Sequence, residues 1–193
     1  MALLGGLFGG VALGIAARAW MRLISTDPEF TWNGTIFIVL AFTIHGFTQA
    51  VARAVRRATD RRSAVTCARV VGFIGTLPLF VAAGGIMFPT VIGGSLARYR
   101  TDWSRWVRVV LVALALVPVG LVTSGLVDDW GWSWTTFAGM AGLIGVYGVV
   151  IAEERPTLAP QPDGWRMPRA ARITIAVLSA LAFLVPTVGA SIT

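Results

Sequence analysis

The chain has 193 residues, 56% of them hydrophobic and only 13% charged, with a formal net charge of +7 and a mean hydropathy of +0.76. A water-soluble domain carries about a quarter charged residues, so there is too little charge here to coat a water-facing surface, and a soluble fold is excluded. All 16 basic residues are Arg. The positive balance is read as arginine collected on the inner side of a membrane and not as affinity for nucleic acid, and the Arg-, Ala-, Gly- and Val-rich composition is that of a high-GC bacterial coding sequence.

Apolar stretches near 20 residues read as spanning helices. The first is 2–24. Ala17, Arg18 and Ala19 fit a small-x-small cleavage pattern, but no basic residue precedes the run and apolar character resumes at Trp20 and Met21, so a retained first span is expected. Gly6, Gly10 and Gly14 recur every four residues, with Gly5 and Gly9 as a second pair. Such a face lets another helix approach closely; a neighbour in the same chain is the expected partner and a second copy the alternative. Arg18 and Arg22 sit one turn apart at the far end, with Asp27 and Glu29 close behind. These four are expected to form a polar cluster with Asp128 and Asp129, whose functional version is an anion or lipid-headgroup site built on the guanidinium fork.

The second span is 34–52. It is uncharged but holds His45, with Gln49 one turn later on the same face. An ionisable group inside a membrane is a functional candidate. The expectation is a neutral histidine hydrogen-bonded to another helix, since one histidine cannot supply paired haem ligands and no carboxylate is near in sequence. The following arginines, Arg53 to Arg62, set orientation and face anionic headgroups. Cys67, the one cysteine, is expected as a packed small residue.

Residues 70–97 carry no charge over 28 positions. As one helix this stretch would run about 42 Å against a hydrocarbon core of about 30 Å, and Pro78, Gly84, Gly85, Pro89, Gly93 and Gly94 interrupt it. A single crossing over 64–97 would divide the arginines ten to six between the two sides. A hairpin that leaves and returns on the same side leaves only Arg18 and Arg22 opposite the other fourteen, which fits the positive-inside pattern far better.

Two further spans follow, 106–127, whose body is charge-free from Val109, and the uncharged 134–152, and 173–190 is the last. Gly139, Gly142, Gly145 and Gly148 give the fifth candidate a crossing surface. Residues 153–168, with Pro156, Pro160, Pro162 and Pro168, read as the most loop-like segment. The tryptophans fall at span ends or in loops, where interfacial tryptophan belongs.

The expectation is one all-α membrane domain over 1–193: a polytopic bundle with seven crossings, or five plus a re-entrant hairpin at 64–97, six simple spans being the alternative. It is placed in the bacterial cell membrane with a cytoplasmic N-terminus. No nucleophile elbow, zinc helix or phosphate-binding loop is present, Asp27 and Glu29 form no acid–base pair, and the lack of lysine excludes Schiff-base chemistry. No cofactor or metal is expected. The expected partners are the bilayer and another membrane protein or a second copy. A scaffold, assembly or accessory subunit ranks first and a small transporter or channel with a broken-helix site in 70–97 second, because no carboxylate lies inside a span; an enzyme ranks last. A buried polar pocket joining His45 to Thr76 or Tyr147 would put transport first.

Overall fold

The computed structural model describes residues 2–26, 30–82 and 85–160. Among these every regular element is helical: α1 (Ala2–Ile24), α2 (Trp32–Ala58), α3 (Arg62–Ala82), a π-helical turn (Pro89–Gly93), α4 (Gly94–Tyr99), α5 (Arg105–Trp130), α6 (Trp134–Glu153) and α7 (Arg155–Leu158). Five of them, α1, α2, α3, α5 and α6, are long and apolar enough to cross a membrane. The expected span 173–190 lies outside the described residues.

Large apolar side chains stay exposed along the long helices, among them Phe8, Leu40, Ile74, Leu116 and Ile144. A surface of this kind belongs against lipid. Trp32 and Trp134 open α2 and α6, Trp106 lies at the start of α5 and Trp130 closes it, so the bundle carries indoles at both ends.

α1 lies antiparallel on α2 through the glycine face. A methyl group on Gly10 would stand 2.6 Å from the Phe42 carbonyl oxygen and 2.8 Å from Thr43 Cα; one on Gly14 would stand 2.8 Å from Val39 Cα. Gly6 meets Gly46 and Ala50 in the same way, whereas Gly5 and Gly9 meet nothing within 4 Å among the described residues. On α6, Gly139 and Gly142 receive Ile24, Leu126 and the Trp20 indole, which donates to the Gly139 carbonyl at 2.7 Å, while Gly145 and Gly148 meet nothing.

Between α3 and α5 the chain turns at Gly85, whose φ of +76° is open to glycine and strained for other residues. Its amide bonds back to the Phe80 carbonyl, a helix-ending contact of Schellman type. The two arms are unequal. α3 has 21 residues, with Pro78 inside it, whereas the returning arm has a five-residue π turn and the six residues of α4. At 1.5 Å per residue that arm covers roughly 16 Å, about half a membrane core. It packs on α5: Thr90 donates to the Ala115 carbonyl at 2.8 Å and Arg108 to the Ala97 carbonyl at 2.9 Å. Met87, Val91, Ile92, Leu96, Leu111, Leu143 and Val150 form the apolar core there.

Two sequence expectations are corrected. Cys67 is exposed on α3, because the neighbouring Val65 and Ala68 take the inward face. Residues 153–160 are not a loop outside the bundle: α6 continues to Glu153 and, after a break at Glu154, α7 continues to Leu158 and packs against α2, α3 and α4. Pro156 falls in the first turn of α7, where a missing N–H is harmless, so it breaks the long helix without ending it.

Candidate functional site

The site grows from the α2 face opposite the glycines. Gly46 turns toward α1 and His45 away from it, toward α3. His45 and Gln49, one turn apart, are both fully buried. Gly72 on α3 has no side chain, which lets α7 lie close enough for Thr157 to reach α2. Thr76, one turn later on α3, is the hub.

His45 Nδ1 lies 3.1 Å from Thr76 Oγ1. The Gln49 amide donates to Thr76 Oγ1 at 3.3 Å and to the Gly72 carbonyl at 3.4 Å, and its oxygen accepts from the Thr157 hydroxyl at 2.7 Å. Thr76 Oγ1 stands 2.6 Å from Glu154 Oε1 and 3.0 Å from the Gly72 carbonyl oxygen. The imidazole lies between two carboxylates: Nδ1 is 3.8 Å from Glu154 Oε1 and Nε2 is 3.4 Å from Glu153 Oε2. Glu154 is wholly buried, while the Glu153 side chain keeps 24% of its surface exposed.

Thr76 has one hydroxyl proton, and three atoms within reach can accept it: Glu154 Oε1, the Gly72 carbonyl and, in one tautomer, His45 Nδ1. When Glu154 is a carboxylate, Thr76 donates to it. When Glu154 carries a proton, the acid donates to Thr76, whose own proton turns to the Gly72 carbonyl. Both states leave the hydroxyl satisfied, which a buried polar group requires. Three acceptors or donors lack a hydrogen bond: His45 Nε2, Glu153 Oε2 and Glu154 Oε2. A bare carboxylate is very costly in apolar surroundings, and the wholly buried Glu154 has the Thr76 hydroxyl as its partner. Glu153, His45, Thr76 and Glu154 form a chain of neighbouring polar groups from a partly exposed acid to a buried one. No set of three or more His, Cys, Asp and Glu among the described residues is disposed to hold a metal ion.

Arginines fix α7 in this place. Arg56 donates to the carbonyls of Pro156 at 2.9 Å, Ala159 at 3.2 Å and Pro160 at 3.1 Å, and Arg69 donates to the Thr157 carbonyl at 2.6 Å. Cations suit the carbonyl end of a helix. On the other side of α7 opens a cavity of about 980 Å³, lined by Arg53, Arg56, Arg57, Arg98, Tyr99, Arg155 and neighbours. Ala152, Arg155 and Pro156 belong to that lining and bracket Glu153 and Glu154 in the chain.

The cluster expected around the first loop is placed in part. Arg18 donates to the Thr35 hydroxyl at 3.1 Å, and Arg22 lies over the Phe30 ring at 5.3 Å. The Trp130 indole donates to the Ile24 carbonyl, which sets Asp128 and Asp129 at the same end of the bundle as Arg22, with no ion pair between them and Arg22. Asp27 and Glu29 lie outside the described residues.

Sequence reasoning singled out His45, Gln49 and Thr76 and missed Glu153, Glu154 and Thr157. Their signal was two adjacent acids directly after an uncharged span, set off by Pro156; ending the span at its first charge hid them. Tyr147 is not joined to His45; it packs edge-on to Trp20 at 6.3 Å. No family model, curated protein or solved structure matches the chain.

Proposed function

We propose that this chain is a small multi-pass transporter of a bacterial cell membrane that loads a proton at Glu154 through His45 and Thr76. The observation that carries the reading is the Thr76 hydroxyl, 2.6 Å from Glu154 and 3.0 Å from the Gly72 carbonyl, which accommodates a charged and a neutral acid alike. Ionisable groups this deep among spanning helices mark proton and substrate paths. Broken helices beside them are the usual device of transporters, and here they are the turn at Gly85, the π turn and the break at Glu154. In this reading α3 crosses fully, the π turn and α4 re-enter, and the arginine-rich end with the N-terminus faces the cytoplasm, as the positive-inside pattern favours. The proton enters at Glu153 and rests at Glu154. Gln49 and Thr157 carry it no further, so release on the far side takes a change of conformation around Glu154 and not a continuous wire of groups.

The test uses the purified chain in lipid nanodiscs and in vesicles. Infrared difference spectra across a pH step are expected to show the carbonyl band of a protonated carboxylic acid, lost in Glu154→Gln and kept in Glu153→Gln. Vesicles holding the protein are expected to dissipate an imposed pH gradient faster than empty ones, and Glu154→Gln to return them to the empty level. A band and a flux that both survive Glu154→Gln would overturn the proposal.

A second reading, an accessory or scaffold subunit, is favoured by one observation. Among the described residues nothing covers the small-residue face of α1 at Gly5 and Gly9, and such faces suit another spanning helix. Gly5→Leu with Gly9→Leu would then abolish co-purification of a stable partner while leaving proton loading intact.

A further inference from the structure

The cavity beside α7 carries five guanidinium groups, from Arg53, Arg56, Arg57, Arg98 and Arg155, and none of its described lining residues is acidic. Among the described residues, only Arg56 of the five donates to protein carbonyls. Arg98 has a ring contact with Tyr99 at 5.7 Å, and Arg53, Arg57 and Arg155 have no hydrogen bond or ion pair among the described residues. These four charges come from three separate parts of the chain, the end of α2, the end of α4 and the start of α7, and converge on one concavity of about 980 Å³. Arginines gathered only to orient the chain could lie anywhere on the inner surface, and mutual repulsion would spread them. A concavity lined by one sign of charge focuses its field and concentrates the opposite ion.

We propose that this cavity binds a phosphate-bearing anion. Several forked guanidiniums around one space suit a multiply charged oxyanion, which accepts paired hydrogen bonds from each fork; a single carboxylate would leave most of them unpaired. The volume holds a phosphate with an organic group attached. The phosphate belongs either to a soluble solute or to a lipid headgroup at the cytoplasmic interface. The inference deepens the transport reading by naming the class of solute. It rests on that reading for the direction of movement and not for binding itself.

The experiment is calorimetric titration of the full chain in zwitterionic nanodiscs with inorganic pyrophosphate, and a parallel melting series in nanodiscs with increasing phosphatidic acid. Arg57→Gln and Arg98→Gln, both at exposed positions, are the test variants. Pyrophosphate is expected to bind and to weaken with salt, with each substitution costing about tenfold in affinity. Pyrophosphate binding identifies a soluble solute. A melting shift confined to phosphatidic acid and lost in the double variant identifies the headgroup. Absence of both effects, or both unchanged in the double variant, would falsify the proposal. The infrared band of Glu154 is measured on the same samples: its survival without anion binding sinks this inference alone, and its absence with anion binding sinks the proton-loading reading alone.

Discussion

The two sides of α2 are held in opposite ways. Toward α1 the contact is backbone on backbone: Gly6, Gly10 and Gly14 leave no side chain between the helices, and a Cβ on Gly46 would stand 3.0 Å from Gly10 Cα. Toward α3 and α7 the contact is a network of His45, Gln49, Thr76, Glu154 and Thr157. Gly46 and His45 are neighbours in the chain, so one residue step takes the helix from a surface held by shape to one held by hydrogen bonds. In lipid there is no hydrophobic gain in pressing two apolar helices together. Close approach and polar pairing are the forces left, and α2 uses one on each side. The first kind of surface fixes geometry by shape; the second fixes it by directed hydrogen bonds.

That contrast can be broken from either side. The largest effect is expected from Gly10→Leu. Its Cβ would fall on the Phe42 carbonyl and Thr43 Cα, atoms that cannot rotate away, so α1 must lift from α2 at a cost of about 3 kcal/mol. Equilibrium unfolding in mixed micelles reads this, and an unchanged midpoint would mean that α1 does not sit on this face. Thr76→Val comes next. It keeps the volume but removes the hub, leaving His45 and Glu154 short of a partner, at a cost of about 2 kcal/mol in the same assay. Infrared spectra of that variant are expected to lose the coupling between the acid and the imidazole, while the α1·α2 contact, followed by a cross-link between cysteines placed on those helices, stays as before. The smallest effect sharpens the comparison instead: Gly9→Ala, on the open face, is expected to raise stability by about 0.5 kcal/mol, since nothing stands within 4 Å and alanine is the better helix former.

The shape-held side was legible in the sequence, because four-residue glycine spacing is a local signal and Gly6, Gly10 and Gly14 all fall where it puts them. So was the existence of five or more apolar helices and the turn at Gly85. The polar side was legible only at His45, Gln49 and Thr76, polar residues standing inside apolar runs. Its other half comes from far along the chain: 78 residues separate Thr76 from Glu154, and 108 separate Gln49 from Thr157. Glu153 and Glu154 looked like the start of a loop because a charge ordinarily ends a span. Only the packing of α7 between α3 and α4 reveals that the chain stays inside the bundle past that charge. The unequal lengths of the two hairpin arms were equally hidden, since both are uncharged and apolar.

The separation of Thr76 from Glu154 also sets an order of events as the chain is made. Synthesis delivers α2 and α3 well before α6 and α7, and domains assemble from the N-terminal side as they emerge. His45 and Gln49 therefore meet Thr76 and Gly72 first, in a helical pair whose polar side chains already have partners in one another. The acids arrive later and complete an arrangement that is waiting for them. α7, at four residues, cannot hold itself together as an isolated helix; it takes shape only against Arg56 and Arg69. Of the described elements, the last to be made is thus the one that closes the site, and a ribosome-bound chain that stops short of Glu154 would carry α1–α3 without the buried acid.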